Sequence, residues 1–195
     1  MIDDIVKFIS GYIPLSPHEI EFIDQQNLIV RSKKNTVLLA EGLQAKECFF
    51  VLKGCVRSYH IVDGVERTTA FFTEDQPITP VSYVTGQPSG YFLACVEDAV
   101  IALGSHERNR KLIEKIPALA SMIMQMNSEL LVQQQESFDA YRNLSPEARY
   151  LQLMDERPDL LSRVPQYHLA SYLGITPESL SRIRRRLMTG TRDPR

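Results

Sequence analysis

The stretch "GITPESLSRIRRRL", residues 174–187, gathers Arg182, Arg184, Arg185 and Arg186 within five residues of a chain whose formal net charge is −2. From Thr176 to Arg195 six arginines stand against Glu178 and Asp193, a local charge of +4, so the rest of the chain carries −6. Such asymmetry marks a segment that meets a polyanion, although a solvated helix face would carry the same charge. On a helical wheel Leu180, Ile183 and Leu187 share one stripe, while Glu178, Ser181, Arg182 and Arg185 share the opposite one. Arg184 and Arg186 flank that polar face. Guanidinium forks pair bidentately with guanine, and a carboxylate accepts from the cytosine amino group. Glu178, Ser181, Arg182 and Arg185 are therefore the candidates for base edges, and Arg184, Arg186 and the amides near Thr176 the candidates for phosphates.

Those side chains need a helix with a fixed start and a partner beneath it. Thr176 suits the N-cap and Pro177 the first helical position. Just upstream, "QYHLASYLG" (166–174) puts Leu169, Ala170 and Leu173 on one face before Gly174 ends the helix. A small residue at 170, a turn glycine at 174 and aliphatics at 180 and 183 have the spacing of a helix-turn-helix over about 166–185. Its second helix would enter the major groove by its N-terminal residues. An ordinary helical hairpin with a charged exterior is the bland alternative.

A chain of 195 residues holds one large or two small domains, and 44% hydrophobic with 24% charged residues describes a globular rather than a disordered chain. No apolar run approaches the length of a membrane span. The start, "MIDDIVKFISGYIPLS", reads as an amphipathic helix and not a signal peptide. Cys48, Cys55 and Cys95 are odd in number and widely spaced, which argues against a disulfide framework or metal knuckle and for a cytoplasmic protein. All three sit in apolar, strand-like runs where cysteine packs as a small hydrophobe.

Residues 1–27 read as one or two short helices, with Ser16, Pro17 and Glu19 as a start signal. From about 30 to 104 the pattern becomes strand-like: "TVLLAEG", "CFFVLKG", "VRSYHIVDG" and "VERTTAFF" are punctuated by Gly42, Gly54 and Gly64. Asp63-Gly64 is the clearest hairpin turn. Residues 91–104 supply two more strands around Glu97-Asp98. After Gly104, Leu112, Ile116, Leu119, Ile123, Met126 and Leu130 trace a heptad seam. Pro117 splits it into a short helix near 106–115 and a long one over about 117–140. Leu119, Ile123, Met126 and Leu130 would form a dimer seam, or pack on the chain's own barrel. A further helix begins at Ser145-Pro146 within 143–154, and "DERPDLLSRVPQ" reads as a loop into the helix-turn-helix. The expected class is α+β: an N-terminal antiparallel jelly-roll barrel (1–105), connecting and dimerisation helices (106–140) and a C-terminal helix-turn-helix domain (141–195).

This order of elements, and "PQYHLASYLGITPESLSRIRRRL" (165–187) most of all, resembles the Crp–Fnr family of bacterial transcription regulators along essentially the whole chain. The resemblance implies a cyclic-nucleotide-binding-like barrel, a parallel dimer through the long helix, double-stranded DNA with a palindromic operator, and RNA polymerase as a further partner. The family's Glu-x-x-Ser-Arg recognition signature falls on Glu178, Ser181 and Arg182, the residues already placed on the outer face. Two features depart from the pattern. Pro177 stands where some members carry an arginine before the glutamate. Only eight residues follow Leu187, too few for the β-hairpin wing many members append.

Cyclic-nucleotide-binding members hold the ribose with a Gly-Glu pair and the phosphate with an Arg-Ser or Arg-Thr pair. The corresponding stretch, 71–98, has no Gly-Glu pair, and no lysine or arginine occurs between Arg67 and Arg108. A buried phosphodiester would lose its strongest charge-assisted bonds there. Control by cyclic AMP is therefore not expected, and the effector stays open. Tyr83, Tyr91 and Phe92 could line a pocket for a neutral or aromatic ligand. No N-terminal cysteine cluster for an iron–sulfur centre is present. His18, His60, His106 and His168 fall in four separate elements, giving no His-x-His metal set, and no nucleophile or phosphate-loop motif occurs. Neither catalysis, a metal nor a cofactor is expected. The weaker alternatives are a ligand-sensing or protein-interaction adaptor without a DNA target and, below that, a jelly-roll enzyme.

Overall fold

The computed structural model describes residues 2–189; residues 190–195, with Arg192, Asp193 and Arg195 of the basic tail, lie outside the described residues. Contacts divide the chain into two units. One holds the chain up to Ser58 together with Phe71–Val132, and the other holds Tyr59–Ala70 together with the chain from Gln133 onward.

The first unit opens with α1 (Ile2–Ser10) and α2 (Pro17–Gln25). Ser16 and Glu19 close the expected capping box at α2: Ser16 N–H donates to Glu19 Oε2 at 2.7 Å and Glu19 N–H to Ser16 Oγ at 3.4 Å. Strands β1 (Ile29–Ser32), β2 (Val37–Leu39), β3 (Cys48–Lys53), β4 (Val56–Val62), β5 (Val65–Phe72) and β6 (Gln76–Ile78) follow. After the short helix α3 (Val81–Thr85) come β7 (Phe92–Cys95) and β8 (Ala99–Gly104). The strands form two four-stranded sheets, in the orders β1-β8-β3-β6 and β2-β7-β4-β5. The pairs β1/β8, β3/β8, β3/β6 and β2/β7 are all antiparallel.

Successive residues of β3 serve different cores. Phe49 and Val51 join Leu39, Val56, Leu93 and Ile101 in the core fed by both sheets, whereas Phe50 and Leu52 meet a second cluster with Ile5, Ile9, Ile23 and Ala102. This two-sided burial explains why "CFFVLK" and "AVIALG" read as continuous apolar runs rather than alternating ones. Asp63 and Gly64, at φ +52° and +76°, make the left-handed pair of a type I′ hairpin turn between β4 and β5. The three cysteines are free thiols, and burial pushes Cys95 up to about 11, so it stays protonated and packs as a small apolar group.

Helices α4 (His106–Lys115) and α5 (Ala118–Asn143) divide at Pro117, as the sequence suggests. The second unit continues with α6 (Pro146–Glu156), α7 (Pro158–Arg163), α8 (Gln166–Leu173) and α9 (Pro177–Thr189). Two short helices replace expected irregular or strand-like chain. Within the stretch read as strands, α3 follows Pro80 and is closed by Gly86 at φ +72°. Within the stretch read as a loop, Pro158 occupies the first helical turn of α7 rather than breaking structure, and Leu160, 1% exposed, anchors it.

Gly54, at φ +105°, has no room for a side chain: a Cβ there would lie 2.8 Å from the Cα and Cβ of Ala99 and from Asp98 O. Gly64 has the same backbone demand, but open space around it. Gly64→Ala should cost about 1–2 kcal/mol from the backbone alone. Gly54→Ala should cost roughly 1–3 kcal/mol more from the collision. Equal midpoints for the two variants in denaturant unfolding would contradict the close approach of Gly54 to the β8 entry.

Candidate nucleic-acid interface

The turn between α8 and α9 is built from local signals. Gly174 adopts φ +72°, its N–H reaches Ser171 O at 3.1 Å, and Ile175 N–H reaches Ala170 O at 3.0 Å. These two bonds make a Schellman cap that ends α8. A Cβ on Gly174 would also sit 3.1 Å from the Tyr141 hydroxyl. Thr176 then caps α9, its Oγ1 accepting from Ser179 N–H at 3.2 Å, with Pro177 as the first helical residue.

Beneath the turn, Leu169, Ala170, Leu173, Leu160 and Leu180 are at most 2% exposed, and Ile183 is also buried. Ala170 is fully buried, as close approach of two helices requires. With Leu180 and Ile183 locked inward, the helical period leaves Glu178, Ser181, Arg182 and Arg185 exposed. Thr176 is exposed as well, while Arg184 and Arg186 are half-buried.

Three polar groups at this end of the helix already have local partners. The Glu178 carboxylate lies beside its own backbone N–H and the Thr176 hydroxyl, and these with the nearby Arg182 guanidinium hold its pKa below the usual range. The Thr176 hydroxyl itself donates to Ser179 Oγ at 3.2 Å. Arg182 Nη2 donates to Ser179 Oγ at 3.4 Å. Arg186, an expected phosphate contact, forms an ion pair with Glu147 in the first turn of α6. It therefore has a structural duty within the unit.

A second tie was invisible in the sequence. Ser171 of α8 accepts from Thr68 N–H of β5 at 2.9 Å, and its own hydroxyl donates to Glu66 O at 3.1 Å. One small side chain thus clasps the β4–β5 tip to the helix-turn-helix inside the second unit. Nothing in the residue type or its helical position signals this, because the partners lie over 100 residues away, at separations of 103 and 105.

The expected dimer seam divides. Leu119 is buried with Met122 in the first unit's own second cluster, and Met126 packs against that cluster. Leu130 is half-buried, and Ile123 is 39% exposed. Met124 and Leu131, seven residues apart, are 72% and 67% exposed on a neighbouring stripe of α5. The three expected barrel-pocket residues also part company. Tyr83 is buried in α3 with its ring stacked on His106 at 4.0 Å. Tyr91 accepts from Val81 N–H at 3.2 Å, and Phe92 opens β7 half-buried. Among the described residues, no three His, Cys, Asp or Glu side chains gather as a metal site needs, and no helix is long and apolar enough to cross a membrane.

Residues 29–116, from the start of β1 to the end of α4, match the family model for the cyclic nucleotide-binding domain. No curated protein sequence matches the chain. Among solved structures, FixK2 from Bradyrhizobium japonicum shares 20% identity at a TM-score of 0.66, covering 83% of this chain and 84% of that one. The c-di-GMP-responsive global regulator CLP of Xanthomonas campestris shares 18% identity at a TM-score of 0.67, covering 92% and 96%. A CRP/FNR-family transcriptional regulator from Thermus thermophilus shares 18% identity at a TM-score of 0.65, covering 86% and 90%. Residues 29–116 thus match the cyclic nucleotide-binding domain, and the chain shares the fold of these solved regulator structures.

Proposed function

We propose that this protein is a cytoplasmic, sequence-specific DNA-binding transcription regulator of Crp–Fnr type that works as a homodimer on a palindromic operator, with RNA polymerase as a further partner. The observation that carries the reading is the outer face of α9, where Glu178, Ser181, Arg182 and Arg185 are exposed over a buried Leu180 and Ile183. A helix held by its apolar side fixes the backbone from which those four groups project, so that binding orders only their side chains. Arg184 and the amides at Thr176 reach phosphates, and Arg182 and Arg185 reach guanine.

The homodimer is proposed to close over the exposed stripe of α5. Ile123 and Leu130 keep their place in the seam, joined by Met124 and Leu131, while Leu119 and Met126 serve the barrel side. Two recognition helices would then stand about one duplex turn, ~34 Å, apart. No catalytic role is proposed for any residue. Cyclic AMP is not proposed as effector, since the chain from 68 to 107 offers no lysine or arginine for a phosphate.

Selection from random duplex pools should enrich a two-fold symmetric motif with half-sites one turn apart. Enrichment of no motif would leave an adaptor role in front. Arg182→Ala should cost roughly 1–3 kcal/mol and relax one base pair of that motif, whereas Arg184→Ala should weaken all sequences alike and lower the salt slope by about 1. Arg184 is the cleaner phosphate probe, because Arg186→Ala also breaks the pair with Glu147. In light scattering, Ile123→Asp and Leu131→Asp should give monomers that remain folded; dimers unchanged by both would end the proposed seam. Cyclic AMP and cyclic GMP should leave the melting temperature where it is. A bound ligand at a hundred times its Kd would add roughly 2.7 kcal/mol, a shift of several degrees.

A further inference from the structure

On the outer face of the β1-β8-β3-β6 sheet lies a cavity of about 330 Å³, walled by α1, β3, β8, α4 and α5. Its walls are aliphatic and aromatic, with Phe8, Phe50, Leu112 and Met122 among them, and no charged side chain lines it. The volume falls at the small end of ordinary ligand pockets.

Cys48, Tyr83, Gly104 and Asn109 meet in its wall. The Cys48 thiol donates to Gly104 O at 3.2 Å, and Asn109 Nδ2 donates to Cys48 Sγ at 3.6 Å. A Cβ at position 104 would lie 2.7 Å from Asn109 Oδ1 and 2.8 Å from Cys48 Sγ, so glycine is what allows the polar groups to close up here. Tyr83 is 8% exposed and fixed by its stack on His106. Its hydroxyl is buried beside Cys48 and Asn109, near enough for both to act on its ionisation, yet it completes no hydrogen bond of good geometry with either. A buried hydroxyl left unpaired is costly, and an acceptor supplied from the cavity would remove that cost.

We infer that this cavity binds a neutral, mainly apolar small molecule bearing one hydroxyl or carbonyl group, whose oxygen accepts from Tyr83 Oη–H and lies within reach of the Asn109 amide. Neutrality follows from the lining: a carboxylate or phosphate would be buried without a counter-charge. The occupant is not a second copy of α5. The deep walls, such as Ile23 at 1% and Ala102 at 6% exposure, are recessed behind a rim where Thr79, Ile123 and Asn127 are exposed. Most of the lining belongs to the cluster outside the barrel, while Phe49 and Tyr83 reach it from the core between the sheets. The site does not depend on the DNA-binding reading. Because residues Leu119 to Asn127 of α5 form one wall, occupancy bears directly on that helix.

The test is calorimetric titration of the full chain with 2-naphthol as the neutral probe and 2-naphthoate as its anionic counterpart, with light scattering in parallel. One 2-naphthol should bind per chain, 2-naphthoate at least about tenfold more weakly, with no change of oligomeric state. Tyr83→Phe should weaken 2-naphthol about five- to tenfold, the worth of one hydrogen bond, and at the same time raise the melting temperature of the free protein by removing the unpaired hydroxyl. A tyrosine that merely packs would not move these two readouts in opposite directions. Absence of saturable 2-naphthol binding, equal affinity in Tyr83→Phe, equal affinity for 2-naphthoate, or binding abolished as chains associate would each overturn the inference. The last outcome would assign the cavity to the dimer contact. None of these readouts involves DNA, so the two proposals stand or fall separately.

Discussion

Phe49 and Phe50 are neighbours in the chain and face opposite cores, and the first unit is organised around that division of one strand. Because β3 and β8 are apolar on both sides, hydrophobic patterning does not by itself choose which set of side chains points inward; a one-residue slip would exchange one apolar set for another. The choice is made at the strand end. Gly54 fits against Ala99 only as glycine, its N–H donates to Glu74 Oε1 at 2.8 Å, and the β3–β8 register shifts between Val51 and Lys53. With the register pinned there, Leu52 and Ala102 are committed outward. The same commitment seats α1, α2 and the start of α5 and shapes the cavity beside them.

What was legible in the sequence was what neighbouring residues specify among themselves. Gly174, Thr176 and Pro177 dictate a Schellman cap, an N-cap and a helix start within four residues, so the helix-turn-helix could be read directly. Asp63-Gly64 and the Ser16–Glu19 box are of the same kind. The helices α3 and α7 escaped because five and six residues are too few to display a helical period, and their prolines look like breakers until the first-turn position is recognised. The α5 seam shows a different limit. The heptad spacing identified an apolar stripe correctly, yet spacing does not state what the stripe packs against, and Leu119 is used within its own unit.

The least legible features join distant chain segments. Cys48, Tyr83 and Asn109 sit on β3, α3 and α4, and only the sheet topology brings them together. Arg186 shows how such a contact alters a functional reading. By charge and position it belongs with the phosphate contacts, but its pair with Glu147, 39 residues away, ties α9 to α6. A half-exposed pair of this kind contributes at most about 1 kcal/mol, so its weight lies in orienting α9 rather than in holding the unit folded.

Glu178 carries the same logic into recognition. Its exposed carboxylate is solvated in the free protein and favoured by the α9 N-terminus and the neighbouring Thr176 hydroxyl, which hold its pKa below the usual range. Approach of a duplex would strip water from that charge and, in the reading proposed for α9, ask it to exchange its local donors for a cytosine amino group. A matched base makes that exchange nearly even. A mismatched base leaves an ionised group desolvated and short of a partner, a cost larger than the gain from the correct contact. Arg182, exposed and bonded only loosely to Ser179, would in that reading have less to give up and more to gain from a guanine edge. Discrimination on such a face would come mainly from the acid that penalises wrong sequences, and affinity mainly from the arginines around it.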